Sequence, residues 1–137
     1  MTLTVHETMA LEEARLAQSR AHAPYSGKQV GAAVVSADGQ VFAACNVENV
    51  DPSLRVCAER NAIAQAVSAG KRDIASVLVV SPDDRFWPPC ELCRSVIEEF
   101  SSNPRVILSN RNGRLHLDCL EDVPLLPFSS DGQGTAL

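Results

Sequence analysis

The sequence predicts an α/β fold: a three-layer α/β/α sandwich around a mixed five-stranded sheet. Three observations predict it. Apolar residues recur at helical spacing in three segments, and valine-rich runs lie between them. Asp38-Gly39 and Asn112-Gly113 each separate two strand-like runs, as two-residue hairpin turns do. The resulting order is helix, strand, strand, helix, strand, helix, strand, strand. It supplies helices for both faces of one sheet and fits neither a helical bundle nor a pure β fold.

Residues 4–21 read as the first helix. Thr4 and Glu7 have the T-x-x-E spacing of a capping box. Val5, Met9, Leu11, Ala14, Leu16 and Ala17 give it a broad apolar face. "HAPYSG" breaks the pattern, and "VGAAVVSADGQVFAACNV" then reads as two strands joined at Asp38-Gly39. "ENVDPSLR" is a loop. "VCAERNAIAQAVSAG" is a helix with Ala58, Ala62, Ile63, Ala66 and Val67 in register and Gly70 as its terminator. "ASVLVVS" is a buried strand, because it is apolar without alternation. The loop "PDDRFWPP" leads to a helix, "CELCRSVIEEF"; "RVILS" and "RLHLD" are the last two strands. The tail is punctuated by proline and then polar, and residues 130–137 are expected to fray. With 137 residues, no internal repeat and no linker, the chain reads as a single domain over 1–137.

The chain is 45% hydrophobic and 21% charged, with a formal net charge of −5. An acidic surface argues against a nucleic acid polymer as partner, because phosphate binding needs a basic stripe. No apolar run is long enough to span a bilayer, and the N-terminal residues lack the basic-then-apolar pattern of a secretory signal. The expected location is therefore cytoplasmic, away from membranes. Five cysteines, an odd number, do not suit a disulfide framework. Reduced thiols, some of them metal ligands, are the better reading.

Two helices begin beside cysteine: Cys57 precedes one, and Cys90 and Cys93 open the other. The positive end of a helix dipole favours thiolate, the form that binds metal. Cys90 and Cys93 lie one turn apart and can grip one ion, with Cys57 supplied from a separate element. Three ligands and one open position is the pattern of catalytic zinc, whereas structural zinc closes with four. Glu59, two residues after Cys57, can take a proton from water activated at the metal and pass it on. Cys57-Ala58-Glu59 with Pro89-Cys90-Glu91-Leu92-Cys93 is the ligand-x-Glu and P-C-x-x-C combination of zinc deaminases. Three thiolates on one Zn²⁺ leave a negative charge in excess, and Arg60 is placed to compensate it. Cys45 and Cys119 read as inert hydrophobes, and His6, His22 and His116 show no ligand spacing.

From about Ala23 to Pro127 the chain resembles the small, three-cysteine cytidine deaminases. "APYS", "VGAAVV", "NVEN", "VCAERNAI", "PPCELCRSVIEEF" and "LLP" carry the resemblance. It implies the same sandwich fold, one Zn²⁺ per subunit held by Cys57, Cys90 and Cys93, and Glu59 as proton shuttle. It also implies that Asn46 and Glu48 hydrogen-bond the ribose 3′-hydroxyl, that the Ala58 N–H meets the pyrimidine carbonyl, and that the Pro88 carbonyl receives the departing amine. The partner is then a small-molecule nucleoside, the reaction hydrolytic deamination of cytidine or deoxycytidine, and the assembly a homotetramer of pyrimidine salvage. The chain departs from the family at Lys28, Pro52 and Ser130, where aromatic residues are usual or frequent, and at Glu91-Leu92, where Gly-Ala is usual. Phe86, Trp87 and Phe128 are the rings available instead, and Lys28 and Arg55 would suit an acidic or larger substituent. A modified cytosine nucleoside such as blasticidin S is the alternative substrate. The rival readings are a thiol–disulfide oxidoreductase using Cys90 and Cys93, which needs neither Cys57 nor Glu59, and a metal-binding relative without activity.

Overall fold

The computed structural model describes residues 2–124. The expectations for Leu125-Leu126-Pro127, Phe128, Ser130 and the 130–137 tail lie outside the described residues. The chain forms α1 (Val5–Gln18), β1 (Gly31–Ser36), β2 (Val41–Cys45), α2 (Ala58–Ser68), β3 (Ile74–Val80), α3 (Glu91–Phe100), β4 (Arg105–Ser109) and β5 (Leu115–Cys119). The strands make one sheet in the order β2-β1-β3-β4-β5. Only β3 and β4 run parallel; the other neighbours are antiparallel. The α3 crossover explains that pair, because parallel neighbours need a long connection.

Alternation along the central strands divides the core into two layers. Ala33 and Val35 of β1, Leu78 and Val80 of β3 and Ile107 of β4 pack under Ala10, Leu11 and Ala14 of α1. Ala32, Val34, Val77, Val79, Val106 and Leu108 face the other way, against Ala58, Ala62, Ile63 and Ala66 of α2 and Ile97 of α3. Strand β1 is therefore buried along its whole length, as expected for a strand covered on both faces.

The capping box of α1 is present: the Glu7 N–H donates to Thr4 Oγ1 at 3.0 Å and the Thr4 N–H to Glu7 Oε1 at 2.9 Å. The apolar face differs from expectation. Val5, Met9 and Leu16 are exposed, while the helix buries Glu7, Ala10, Leu11 and Ala14. The cause is close approach. A Cβ on Gly31 would stand 2.0 Å from the Ala14 carbonyl oxygen, so α1 presses its small-residue side onto β1. Both hairpin turns differ from the two-residue expectation: Ser36 pairs with Gln40 and Asn110 with Arg114, so each loop has three residues. The loops end in Gly39 (φ +90°) and Gly113 (φ +80°), the left-handed position where another side chain would be strained.

After β2 the chain is held between two others. Val47 bridges to His22 on one side and to Val56 on the other. This ladder carries the chain to Cys57, the residue that precedes α2.

Candidate metal centre and active site

Both helices of the second layer start at cysteine. Cys57 is the N-cap of α2 and Cys90 the N-cap of α3, with Cys93 inside the first turn of α3. The fold brings their sulfurs together: Sγ of Cys57 and Cys90 are 4.0 Å apart, and Sγ of Cys90 and Cys93 are 3.4 Å apart. All three lie within 4.8 Å of one another and are buried. Tetrahedral zinc with bonds of about 2.3 Å sets sulfurs about 3.8 Å apart, and the observed spacings straddle that value. No cysteine is paired in a disulfide.

The donor chemistry also calls for a cation. Hydrogen bonding with Cys57 and then Cys93 pulls the Cys90 thiol well below its ordinary pKa. The same contacts push its neighbours up, Cys57 chiefly through Cys90 and Cys93 chiefly through Cys57. On their own the three sulfurs therefore do not all ionise near neutrality, whereas a divalent ion among them stabilises all three as thiolates. Cys57, Cys90 and Cys93 fit one Zn²⁺.

Glu59 follows from the same helix start and is 4% exposed. Burial, and then the adjacent Cys90 thiolate, raises its pKa to about 7. A carboxyl poised there can both accept and donate a proton at neutral pH. Arg60 leans back toward the cluster: Nη2 lies 3.8 Å from Cys57 Sγ and donates to the Arg55 carbonyl at 3.3 Å. Its Nε is buried and has no hydrogen-bond partner among the described residues.

Asn46 and Glu48, buried at 0% and 3% exposure, hold the loop that precedes β1. Asn46 Oδ1 accepts from the Val30 N–H at 2.8 Å, and Nδ2 donates to the Lys28 carbonyl at 2.9 Å. Glu48 accepts from the N–H groups of Tyr25 and Ser26 at 3.0 and 3.1 Å and from the Ser26 hydroxyl. Each keeps hydrogen-bonding capacity beyond these bonds: one Asn46 N–H and the remaining lone pairs. The same loop brings Lys28 Nζ to 5.4 Å from the centroid of the Trp87 ring, and Arg55 stacks on Tyr25 at 5.2 Å. Pro88, Pro89 and Ala58 are buried beside the cysteines in sequence.

A surface groove of about 500 Å³ lies elsewhere. It is lined by Arg15, Gln18, Gln29, Ser81 and Arg111 on the α1 side and touches neither the cysteines nor Glu59. The chemistry, not the cavity size, locates the site. Sequence reasoning did not find the Lys28–Trp87 contact or the hydrogen bonds that hold the loop before Cys90; the Asp83-Asp84 pair facing Asn110 carries no sequence signal of its own.

Converging thiols at two helix starts of an α/β/α sandwich, with an acid two residues after the first, define the zinc-deaminase class. Residues 4–109 match the cytidine and deoxycytidylate deaminase zinc-binding region, and the chain belongs to that family. A cytidine deaminase of Halalkalibacterium halodurans is 42% identical over 106 residues, covering 77% of this chain and 80% of its own. The crystal structure of a cytidine deaminase from Burkholderia pseudomallei superposes with a TM-score of 0.79 at 39% identity, covering 88% of this chain and 95% of that one. A blasticidin-S deaminase of Bacillus cereus is 31% identical over 108 residues, covering 73% of this chain and 76% of its own.

Proposed function

We propose that the protein hydrolyses free cytidine or 2′-deoxycytidine to the uracil nucleoside and ammonia. One observation carries the reading: three buried sulfurs converge beside the buried carboxyl of Glu59. Bound by Cys57, Cys90 and Cys93, zinc supplies the Lewis acidity that makes water a nucleophile at neutral pH. Glu59 takes one proton from the attacking water and delivers it to N3, then carries the second proton of that water from the new C4 hydroxyl to the amine. The C4–N bond breaks, ammonia leaves, and the C4 oxygen comes from water. The Pro88 carbonyl accepts from the departing amine, and the Ala58 N–H donates to the pyrimidine carbonyl. Asn46 and Glu48 use their remaining capacity on the ribose 3′-hydroxyl. Arg60 offsets the surplus negative charge of three thiolates. The chain acts as one domain within a homotetramer, and its place is cytoplasmic pyrimidine salvage.

A modified cytosine nucleoside is the second reading, favoured by Lys28 over Trp87 where the family resemblance expects a ring, and by the blasticidin-S relative. The test is ammonia release by zinc-loaded protein from cytidine, deoxycytidine and blasticidin S. Cytidine turnover is expected. Turnover of blasticidin S alone moves the assignment to the second reading. Glu59→Gln should keep its zinc and lose about 10²–10⁴-fold in kcat, the scale of one general acid–base group. A reversibly oxidised Cys90–Cys93 pair in protein that holds no zinc would overturn the hydrolytic reading in favour of redox chemistry.

A further inference from the structure

Residues 81–89 carry the chain from the end of β3 to Cys90. The first half of this loop is strapped to the β4–β5 turn. Asn110, 5% exposed, is the centre of the strap. Its Oδ1 accepts from the N–H groups of Asn112 and Arg114, both at 3.0 Å, and so shapes the turn. Its Nδ2 donates outward, to the main-chain carbonyl of Asp84 at 2.9 Å. Arg111 adds two bonds: its N–H donates to the Asp83 carbonyl at 2.8 Å and its Nη2 to Asp84 Oδ1 at 2.8 Å. Asn112 Nδ2 donates to the same carboxylate at 3.1 Å.

The second half of the loop follows from the first. The Asp83 carboxylate accepts from the Arg85 N–H at 2.9 Å and from Trp87 Nε1 at 3.0 Å. Ser81 Oγ donates to the Arg85 carbonyl at 2.6 Å. Trp87 is 4% exposed and packs in the core beneath α2 and α3. Two prolines separate it from Cys90. Proline fixes φ, which leaves the segment fewer backbone torsions in which to absorb a shift at Trp87 before Cys90.

We propose that Asn110 is a positioning residue for the deamination: through Asp84, Asp83 and Trp87 it sets where the Pro88-Pro89 segment delivers Cys90. The role rests on the deaminase reading above. Asn110 touches no cysteine, and its effect is geometric. A turn-forming role alone would use only Oδ1; the bond from Nδ2 to the loop is what the proposal needs.

Asn110→Asp separates the two. It keeps an acceptor for the Asn112 and Arg114 N–H groups, and it puts oxygen against oxygen at Asp84. Trp87 is the only tryptophan in the chain, so its emission reports the loop directly. In the zinc-loaded variant we expect red-shifted, more quenchable Trp87 fluorescence, zinc still bound, and kcat on cytidine lowered about tenfold with a smaller change in KM, the scale of a sub-ångström misplacement. Asp84→Ala, an exposed position, loses the Arg111 and Asn112 side-chain bonds but keeps the main-chain acceptor for Asn110. It should fall between wild type and Asn110→Asp in both readouts, and it carries the test if Asn110→Asp does not fold. A lowered kcat with Trp87 emission and quenching unchanged would overturn the proposal. So would a loosened Trp87 with kcat unchanged. Wild-type protein that leaves cytidine intact, while the variants still loosen Trp87, refutes the deaminase reading and the catalytic role with it but leaves the strap.

Discussion

Glu7 should contribute to stability as an ion while touching nothing in the active site. It is 1% exposed, and its carboxylate accepts from Arg105 Nε at 2.8 Å, Arg105 Nη2 at 3.0 Å and Ser76 Oγ at 2.6 Å, besides the Thr4 N–H. Burial alone would raise its pKa. The hydrogen bonds from Arg105, Ser76 and Thr4, with the Arg105 charge, outweigh burial and hold it below the usual carboxylate value of 4.5. Breaking a fully buried ion pair costs about 3–5 kcal/mol. Here Arg105 is 30% exposed and can turn to water, so Glu7→Ala should cost about 2–4 kcal/mol, including about 1 for the lost cap. Glu7→Gln keeps an acceptor for Thr4 and should cost about 1–2 kcal/mol, the scale of a hydrogen bond to a charged partner.

The pH dependence gives the sharper test. A carboxylate with a lowered folded pKa contributes stability above its unfolded pKa, and that contribution is lost as the pH falls through the folded value. Urea melts of wild type and Glu7→Gln should therefore separate at pH 7 and converge below pH 4.5, toward the lowered folded pKa of Glu7. Comparing the two proteins at each pH cancels the protonation of the cysteine cluster, which both share. Equal midpoints at pH 7, or a gap that stays constant on acidification, would refute the ionic role.

Three further outcomes follow from the geometry. Arg60→Gln should retain zinc and lose about tenfold in kcat, as removal of one charge-assisted contact implies; unchanged steady-state kinetics would remove Arg60 from the charge balance. Gly31→Ala should destabilise by about 3 kcal/mol or abolish folding, because the new Cβ meets the Ala14 carbonyl at 2.0 Å; a denaturant melt within error of wild type would show that α1 lifts off β1 easily. Stripping zinc with a strong chelator should lower Tm by about 10 °C or more, since a ligand held far above its Kd adds several kcal/mol to a domain of this size; a differential scan unmoved by metal loss would show that the three thiols need no cation.

What was legible in the sequence was local. The capping box at Thr4 and Glu7, the turn at Asp38-Gly39 and the spacing of Cys57, Glu59, Cys90 and Cys93 each depend on residues a few positions apart, or on two such groups in one chain. All are present in the structure, and all eight elements lie where the pattern put them, within a few residues. What was not legible depends on distant partners. The ion pair of Glu7 is invisible to local pattern because its counter-ion, Arg105, is 98 positions away. Val5, Met9 and Leu16 looked like core because they are the large apolar residues of α1, yet the close approach at Gly31 selects the alanine side.

Lys28 shows the same limit at the site itself. By resemblance, a lysine there reads as a lost ring. In the structure, the Lys28 ammonium lies 5.4 Å from the ring centroid of Trp87, which belongs to a different loop, a contact of about 0.5–2 kcal/mol depending on desolvation. Asn46 and Glu48 hold the loop that bears Lys28, and Asn110 holds the loop that bears Trp87. The substitution that looks like a defect in sequence therefore joins the loop held by Asn46 and Glu48 to the loop held by Asn110. A change at either loop should then reach the other through this contact, which a double-mutant cycle on Lys28 and Asn110 would detect as non-additive kcat/KM.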